Sequence, residues 1–416
     1  MAGQWRGTGR GRWAGQLLAV LLLVPACSSP GEPGGSAARD VQRTLDRRAA
    51  AVVDRDEAAY LAPVDPRADG LRVAERREFA NLAQVPLRSW AYRLTGFDRT
   101  GEGRATARVE LSYRLDGYDS AAVKATEELD LTRRDGRWYV AAESPGKAEG
   151  GRYGGAARQL WEQGRVTAVR GTHSLVLGVG QSERRLREIA NAADRAVPAV
   201  DRAWQGRWAR RLVLLVPSSV GGMASLLGGR AAGYRGIAAV TTGEAGGSGT
   251  APADRVIVNP DAYAVLGAFG QQIVLAHESA HVATRAHTSA ATPMWLSEGF
   301  ADWVAYRGTG RTADEAAPEL ARAVRGRDLP AALPTDQAFG FGGDADALAR
   351  AYEGGWLACR LIAEERGEKR LTAFYRAVGG HAQREGAVEK AMQEQLGTTP
   401  EDFTVRWRAY LRERLG

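Results

Sequence analysis

The chain has 416 residues, 44% hydrophobic and 25% charged, which is long enough for two domains and too apolar for wholesale disorder. Its 56 Lys and Arg outnumber 49 Asp and Glu, a net charge of +7, but no basic run of five or more concentrates the excess, so a nucleic-acid partner is excluded. Two cysteines, Cys27 and Cys359, rule out a disulfide framework and a cysteine-ligated zinc ribbon.

Met1 to Gln16 carries Arg6, Arg10 and Arg12 and no acid, and Leu17 to Val24 is an unbroken apolar run. The uncharged stretch from Trp13 to Ala26 is too short to span a bilayer as a helix. It has the form of a secretory signal over residues 1–26. Val24-Pro25-Ala26-Cys27 resembles a bacterial lipobox, in which small residues precede a cysteine that is acylated and becomes the new N-terminus. The resemblance implies a lipid anchor at Cys27 on the extracytoplasmic face of a cell membrane, with residues 27–37, rich in Ser, Gly and Pro, as a flexible tether. Cys359 lies in the apolar stretch WLACRLIA and reads as a small buried hydrophobe.

Residues 38–142 read as a first domain, closed by the Gly-rich linker 143–158. Val41 to Leu61 has helical periodicity through Leu45, Val52 and Ala59, and helical signals continue to Leu82. Alternating runs follow at Trp90–Leu94, Ala105–Leu115, Glu127–Leu131 and Trp138–Val140, with a hairpin signal at Asp135-Gly136. Helices followed by an antiparallel meander make an α+β layer. The pattern resembles the small cone-shaped domains of the nuclear-transport-factor-2-like class, which enclose a ligand pocket or serve as interaction modules. No catalytic residue is assigned here.

Residues 159–416 read as a second α+β domain: a mixed sheet, then a helical half. Strands are expected at Arg165–Val169, Ser174–Val179, Leu212–Val216, Ile237–Thr241 and Val256–Asn259, with a helix over Glu183–Trp204 after the second. Gly243 to Asp254 (GEAGGSGTAPAD) has the composition of a mobile loop. From Asp261 onward the chain reads as helices.

One of those helices carries the chemistry. Gly270 to Arg285 reads GQQIVLAHESAHVATR, and His277, Glu278 and His281 form an HExxH. Residues i and i+4 share a helix face, so both imidazoles can reach one ion at about 2 Å. Glu278 lies roughly 100° around the helix. It need not ligate, and can instead act as general base beside the ion. Glu298, in PMWLSEGFADW, follows His281 by 17 residues (298 − 281), room for a turn and a second helix that brings a third ligand. Asp302 is four residues further, on the same face, and is the expected acceptor for the free ring N–H of a ligand histidine.

HExxH followed by WLSEGFAD resembles the gluzincin metallopeptidases, the group of thermolysin and the aminopeptidase N-like enzymes. The resemblance implies one Zn2+ per chain held by His277, His281 and Glu298, with Glu278 as general base and a peptide or protein substrate. The Gly-x-Met-Glu-Asn segment with which aminopeptidases capture a substrate amino terminus is absent, which favours an endopeptidase. Tyr352 resembles the tyrosine that such enzymes place behind the site to stabilise the oxyanion, with simple helix packing as the alternative reading. His381 is a weaker candidate for that role. Tyr306 reads as core or rim, and His173 and His287 have no sequence partners. Val256–Val258 is a candidate for the edge strand that pairs with an extended substrate. A different class stays open: a catalytically silent lipoprotein using the peptidase fold and first domain as a binding module. A third reading has the first domain binding a small ligand to which the peptidase half responds.

Overall fold

The computed structural model describes residues 35–146, 158–242, 254–340 and 344–416. The signal, most of the tether including Cys27, and the loop 243–253 lie outside the described residues. Among the described residues no helix is long and apolar enough to cross a membrane.

The protein is α+β. Its first part sets helices α1 (Ser36–Asp54), α2 (Glu57–Leu61) and α3 (Asp69–Asn81) against an antiparallel meander of β1 (Leu87–Gly101), β2 (Arg104–Leu115), β3 (Val123–Arg134) and β4 (Arg137–Pro145), in that spatial order. The period-2 pattern of β2 buries Ala105, Ala107, Val109, Leu111, Tyr113 and Leu115, and α1 lays Val41, Leu45, Ala49 and Val52 on that face. The helix expected over Val41–Leu61 is split: Arg55 adopts φ 60, and Asp56 caps a new helix by accepting from the Ala59 amide. Asp135 and Gly136 both take positive φ, 49 and 77, the hairpin geometry that their sequence signalled. Strand β4 continues to Pro145, so the first residues of the expected linker are ladder residues pairing with β3. Residues 147–157 of that linker lie outside the described residues.

The second part opens with α4 (Leu160–Gln163) and a five-stranded sheet of β5 (Val166–Arg170), β6 (Ser174–Val179), β7 (Leu212–Val216), β8 (Ala239–Thr241) and β9 (Val256–Val258). The order is β5-β6-β7-β9-β8, with β6, β7 and β9 parallel and the two edge strands antiparallel to them. This corrects one expectation. Val256–Val258 is interior, because its three apolar residues are buried on both faces, and the edge belongs to β8. Helix α5 (Glu183–Ala203) covers one face of this sheet, α6 (Val220–Leu227) lies between β7 and β8, and α7 (Pro260–Val265) leads from β9 to the next helix.

The other sheet face meets the first part. Along β6, Val176 packs with α5, while Leu175, Leu177 and Val179 join the core of the meander, where Trp161 touches Trp90 and Tyr113. Asp119 and Arg255 clasp across the junction through two 2.7 Å contacts, both side chains buried. The two parts therefore share one core, with no tethered gap between them.

The rest is helical: α8 (Ala268–Thr284), α9 (Met294–Tyr306), α10 (Ala313–Ala316), α11 (Pro318–Arg325), α12 (Ala345–Arg366), α13 (Glu368–Gly379), α14 (Ala387–Leu396) and α15 (Pro400–Leu415). Helix α9 is buried on most of its circumference by Leu296, Phe300, Trp303 and Val304. It crosses α12 with backbone nearly touching backbone: a Cβ on Gly299 would sit 2.2 Å from the Gly355 carbonyl oxygen. Only glycines permit that approach. Cys359 is wholly buried in the same core, as its sequence setting implied.

Candidate metal centre

Helix α8 lies between the sheet and α9 and brings His277 and His281 to one face. From α9, Glu298 enters the same space. One nitrogen or oxygen from each of these three residues lies within 4.8 Å of the others, and among the described residues no other cluster is suited to a metal ion. The edges of the triangle are 2.9 Å between the two Nε2 atoms and 3.2 and 3.4 Å from them to Glu298 Oε2. Bonds of about 2.0–2.1 Å at tetrahedral angles put ligand atoms roughly 3.3 Å apart, so the residues present fit a zinc-sized ion. The side chains are sheltered, at 12%, 5% and 2% exposure for His277, His281 and Glu298.

Asp302 lies one turn beyond Glu298 on α9, and its Oδ1 is 2.8 Å from His277 Nδ1. A proton on Nδ1 leaves the Nε2 lone pair facing inward. Without an ion, the electrostatics favour a charged ring at His277 instead. Burial opposes a charge on His277, but the Asp302 and Glu298 carboxylates overcome it and hold its pKa up at about 10. Burial likewise opposes the Glu298 charge, and the two imidazoles override it and hold the carboxyl far below its ordinary range. The pocket favours positive charge at its centre.

Glu278, next to His277 on α8, is not part of this triangle. Its Oε2 accepts a 2.7 Å hydrogen bond from the Thr241 hydroxyl, at the end of edge strand β8. Tyr352, on α12, sits over the other side: its ring centre is 6.2 Å from that of His277, and Phe339 packs edge-on against it at 5.1 Å. The Gly299–Gly355 approach is what lets α12 come this near. His277, Glu278, His281, Glu298, Asp302 and Tyr352 are thus gathered in one place.

The remaining candidates lie elsewhere. Tyr306 packs at a tilt against Trp356, and burial pushes its hydroxyl up to about 12. His287 is edge-on to Trp204, and burial lowers its pKa. His173 has its amide held by Asp194, and the His381 carbonyl accepts from Ser289. Thr241 and the two crossing glycines were not singled out in the sequence. A Gly-Gly pair inside a helix is a visible sign of close approach, but nothing near Thr241 marks a partner on another element. No family model matches the chain, and no curated protein matches it.

Proposed function

We propose that this protein is a zinc-dependent peptidase, acting as an endopeptidase tethered by Cys27 to the outer face of a bacterial membrane. The observation that carries the reading is the convergence of His277, His281 and Glu298 within 4.8 Å, with a carboxylate beside them that is held out of the ligand set. Zinc held by these three residues would supply the Lewis acidity that makes a water acidic near neutral pH. Glu278 takes the proton of the attacking water and passes it to the leaving amine. Asp302 fixes the ring of His277, and the Tyr352 hydroxyl donates to the oxygen on which negative charge develops.

Metal analysis combined with cleavage of a peptide library, with and without chelator, tests this. The wild type carries one zinc per chain and cleaves, and chelation stops it. Glu278→Gln carries the same zinc and cleaves nothing; equal cleavage by the two proteins discards the mechanism. The anchor is tested separately, since Cys27→Ala is expected to leave the membrane fraction.

A further inference from the structure

Glu278 is gripped from a part of the fold that supplies no ligand. Thr241 ends β8, the edge strand, and is fully buried. Its Oγ1 is 2.7 Å from Glu278 Oε2 and 3.3 Å from the Glu278 carbonyl oxygen. A hydroxyl has one proton to donate, and the carboxylate contact is the shorter and the charge-assisted one. As a β-branched residue, Thr241 has a restricted χ1, so its hydroxyl is a fixed point.

The strand end is itself pinned. Thr242 donates its amide to the Arg255 carbonyl at 2.8 Å and accepts the Arg255 amide on its hydroxyl at 2.9 Å. Arg285, just past the end of α8, donates to the Thr242 carbonyl at 2.8 Å and to Asp254 at 3.0 Å. Strand β8 and helix α8 are cross-tied at two levels, Thr241 to Glu278 and Thr242 to Arg285. The lower tie fixes where the upper one falls.

We propose that Thr241 is a positioning residue for Glu278: its hydroxyl holds one carboxylate oxygen, which fixes the orientation of the carboxylate and keeps it out of the ligand set. This rests on the peptidase reading above. The side chain of Glu278 is long enough to turn, and it neighbours a ligand histidine on the same helix. An unrestrained carboxylate there has two costs. It samples orientations from which no proton passes, and it competes for the open vertex.

The test uses the full chain with Thr241→Val, which keeps shape and removes the hydroxyl, and Thr241→Ser, which keeps the hydroxyl. Zinc-loaded Thr241→Val is expected to lose on the order of 10- to 100-fold in kcat, the worth of a hydrogen bond to a charged group, with KM within about twofold. Thr241→Ser is expected to recover most of it. Cobalt(II) substitution gives a readout independent of turnover, because the visible absorption of cobalt shifts when a carboxylate replaces water at the fourth position. Thr241→Val is expected to show a shifted spectrum and Thr241→Ser the wild-type one. Equal kcat and identical cobalt spectra in wild type and Thr241→Val remove the role while leaving the peptidase reading intact. Equal losses in the Val and Ser variants also remove it, since packing of the methyl group is then what matters. A wild-type chain that binds neither metal and cleaves nothing overturns the peptidase reading itself, and this role with it.

Discussion

Two of the places where the molecule buries charge resolve the cost in opposite ways. In the first part, Arg48 is 1% exposed and contacts Glu75 at 2.5 Å, Glu143 at 2.9 Å and the Tyr60 hydroxyl at 3.0 Å. Tyr60 in turn donates to Glu75 at 2.6 Å. The cation there is the protein's own, and its planar fork of donors matches the carboxylates around it. Between α8 and α9 the acceptors are as deeply buried, but they converge on a point instead of a guanidinium. Two imidazole nitrogens 2.9 Å apart either share a proton or, with both lone pairs directed inward, face something positive. Buried carboxylates thus make a closed structural clasp in one half and part of a cluster that could hold a metal ion in the other.

Glu298→Ala is the sharpest way to break that contrast. It leaves the imidazole pair without a third ligand, and we expect zinc binding and peptide cleavage both to fall below detection, with the fold retained in the presence or absence of chelator. Arg48→Met should do the reverse. Removing one partner of a buried pair leaves Glu75 and Glu143 unpaired, and the expected loss is about 3–5 kcal/mol of stability in urea, with zinc content per folded chain unchanged. A smaller loss in Arg48→Met than in a surface arginine control denies the clasp its role.

The two centres also differ in how far the amino-acid sequence discloses them. His277, Glu278 and His281 are legible because a helix converts a spacing of four into a shared face, and Glu298 and Asp302 repeat that spacing on the next helix. Arg48 is not legible as a buried cation. It sits in a run of paired charges that reads as a solvated helix face, and its partner Glu143 is 95 positions away. Thr241 is hidden for the same reason, with 37 positions between it and Glu278. The identity of the edge strand was missed because strands of three residues carry no period to read. Local patterns disclose what one or two consecutive elements do, whereas contacts between distant elements are set by packing.

A third substitution separates the ligand triangle from the surface above it. A Cβ on Gly299 meets the Gly355 carbonyl at 2.2 Å, so Gly299→Ala forces α9 and α12 apart. Overpacking of this kind costs about 1–3 kcal/mol. Because His277, His281 and Glu298 belong to α8 and α9 alone, zinc content should persist while kcat drops as Tyr352 retreats with α12. Loss of zinc in parallel with kcat would show that α12 supports the triangle directly.

The smallest effect is a slope with pH, to which the first centre contributes alongside the raised His277 of the metal-free second centre. Glu75, Glu78, Glu127, Glu143 and Glu162 line a cavity of about 260 Å³ beside Arg48. Burial pushes Glu75, Glu78, Glu127 and Glu162 above the ordinary glutamate range, against the pull of Arg48 on the first three. The enclosed Oε2 of Glu127 has no hydrogen-bond partner. A carboxyl whose pKa is raised on folding binds its proton more tightly in the native state. Its stabilising contribution is complete below the unfolded value and disappears as pH climbs through the folded one. Asp65 works with the opposite sign: its hydrogen bond from Arg134 holds it low, against the opposing effect of burial, so its contribution is lost only as pH falls below the ordinary aspartate range. The windows therefore do not overlap. Between about pH 5 and pH 8 the urea midpoint of the chelator-treated protein should decline with rising pH, and Glu127→Gln should flatten the decline. A midpoint that instead rises across that interval means the cavity carboxylates ionise freely, and the first centre is then as open to an added cation as the second.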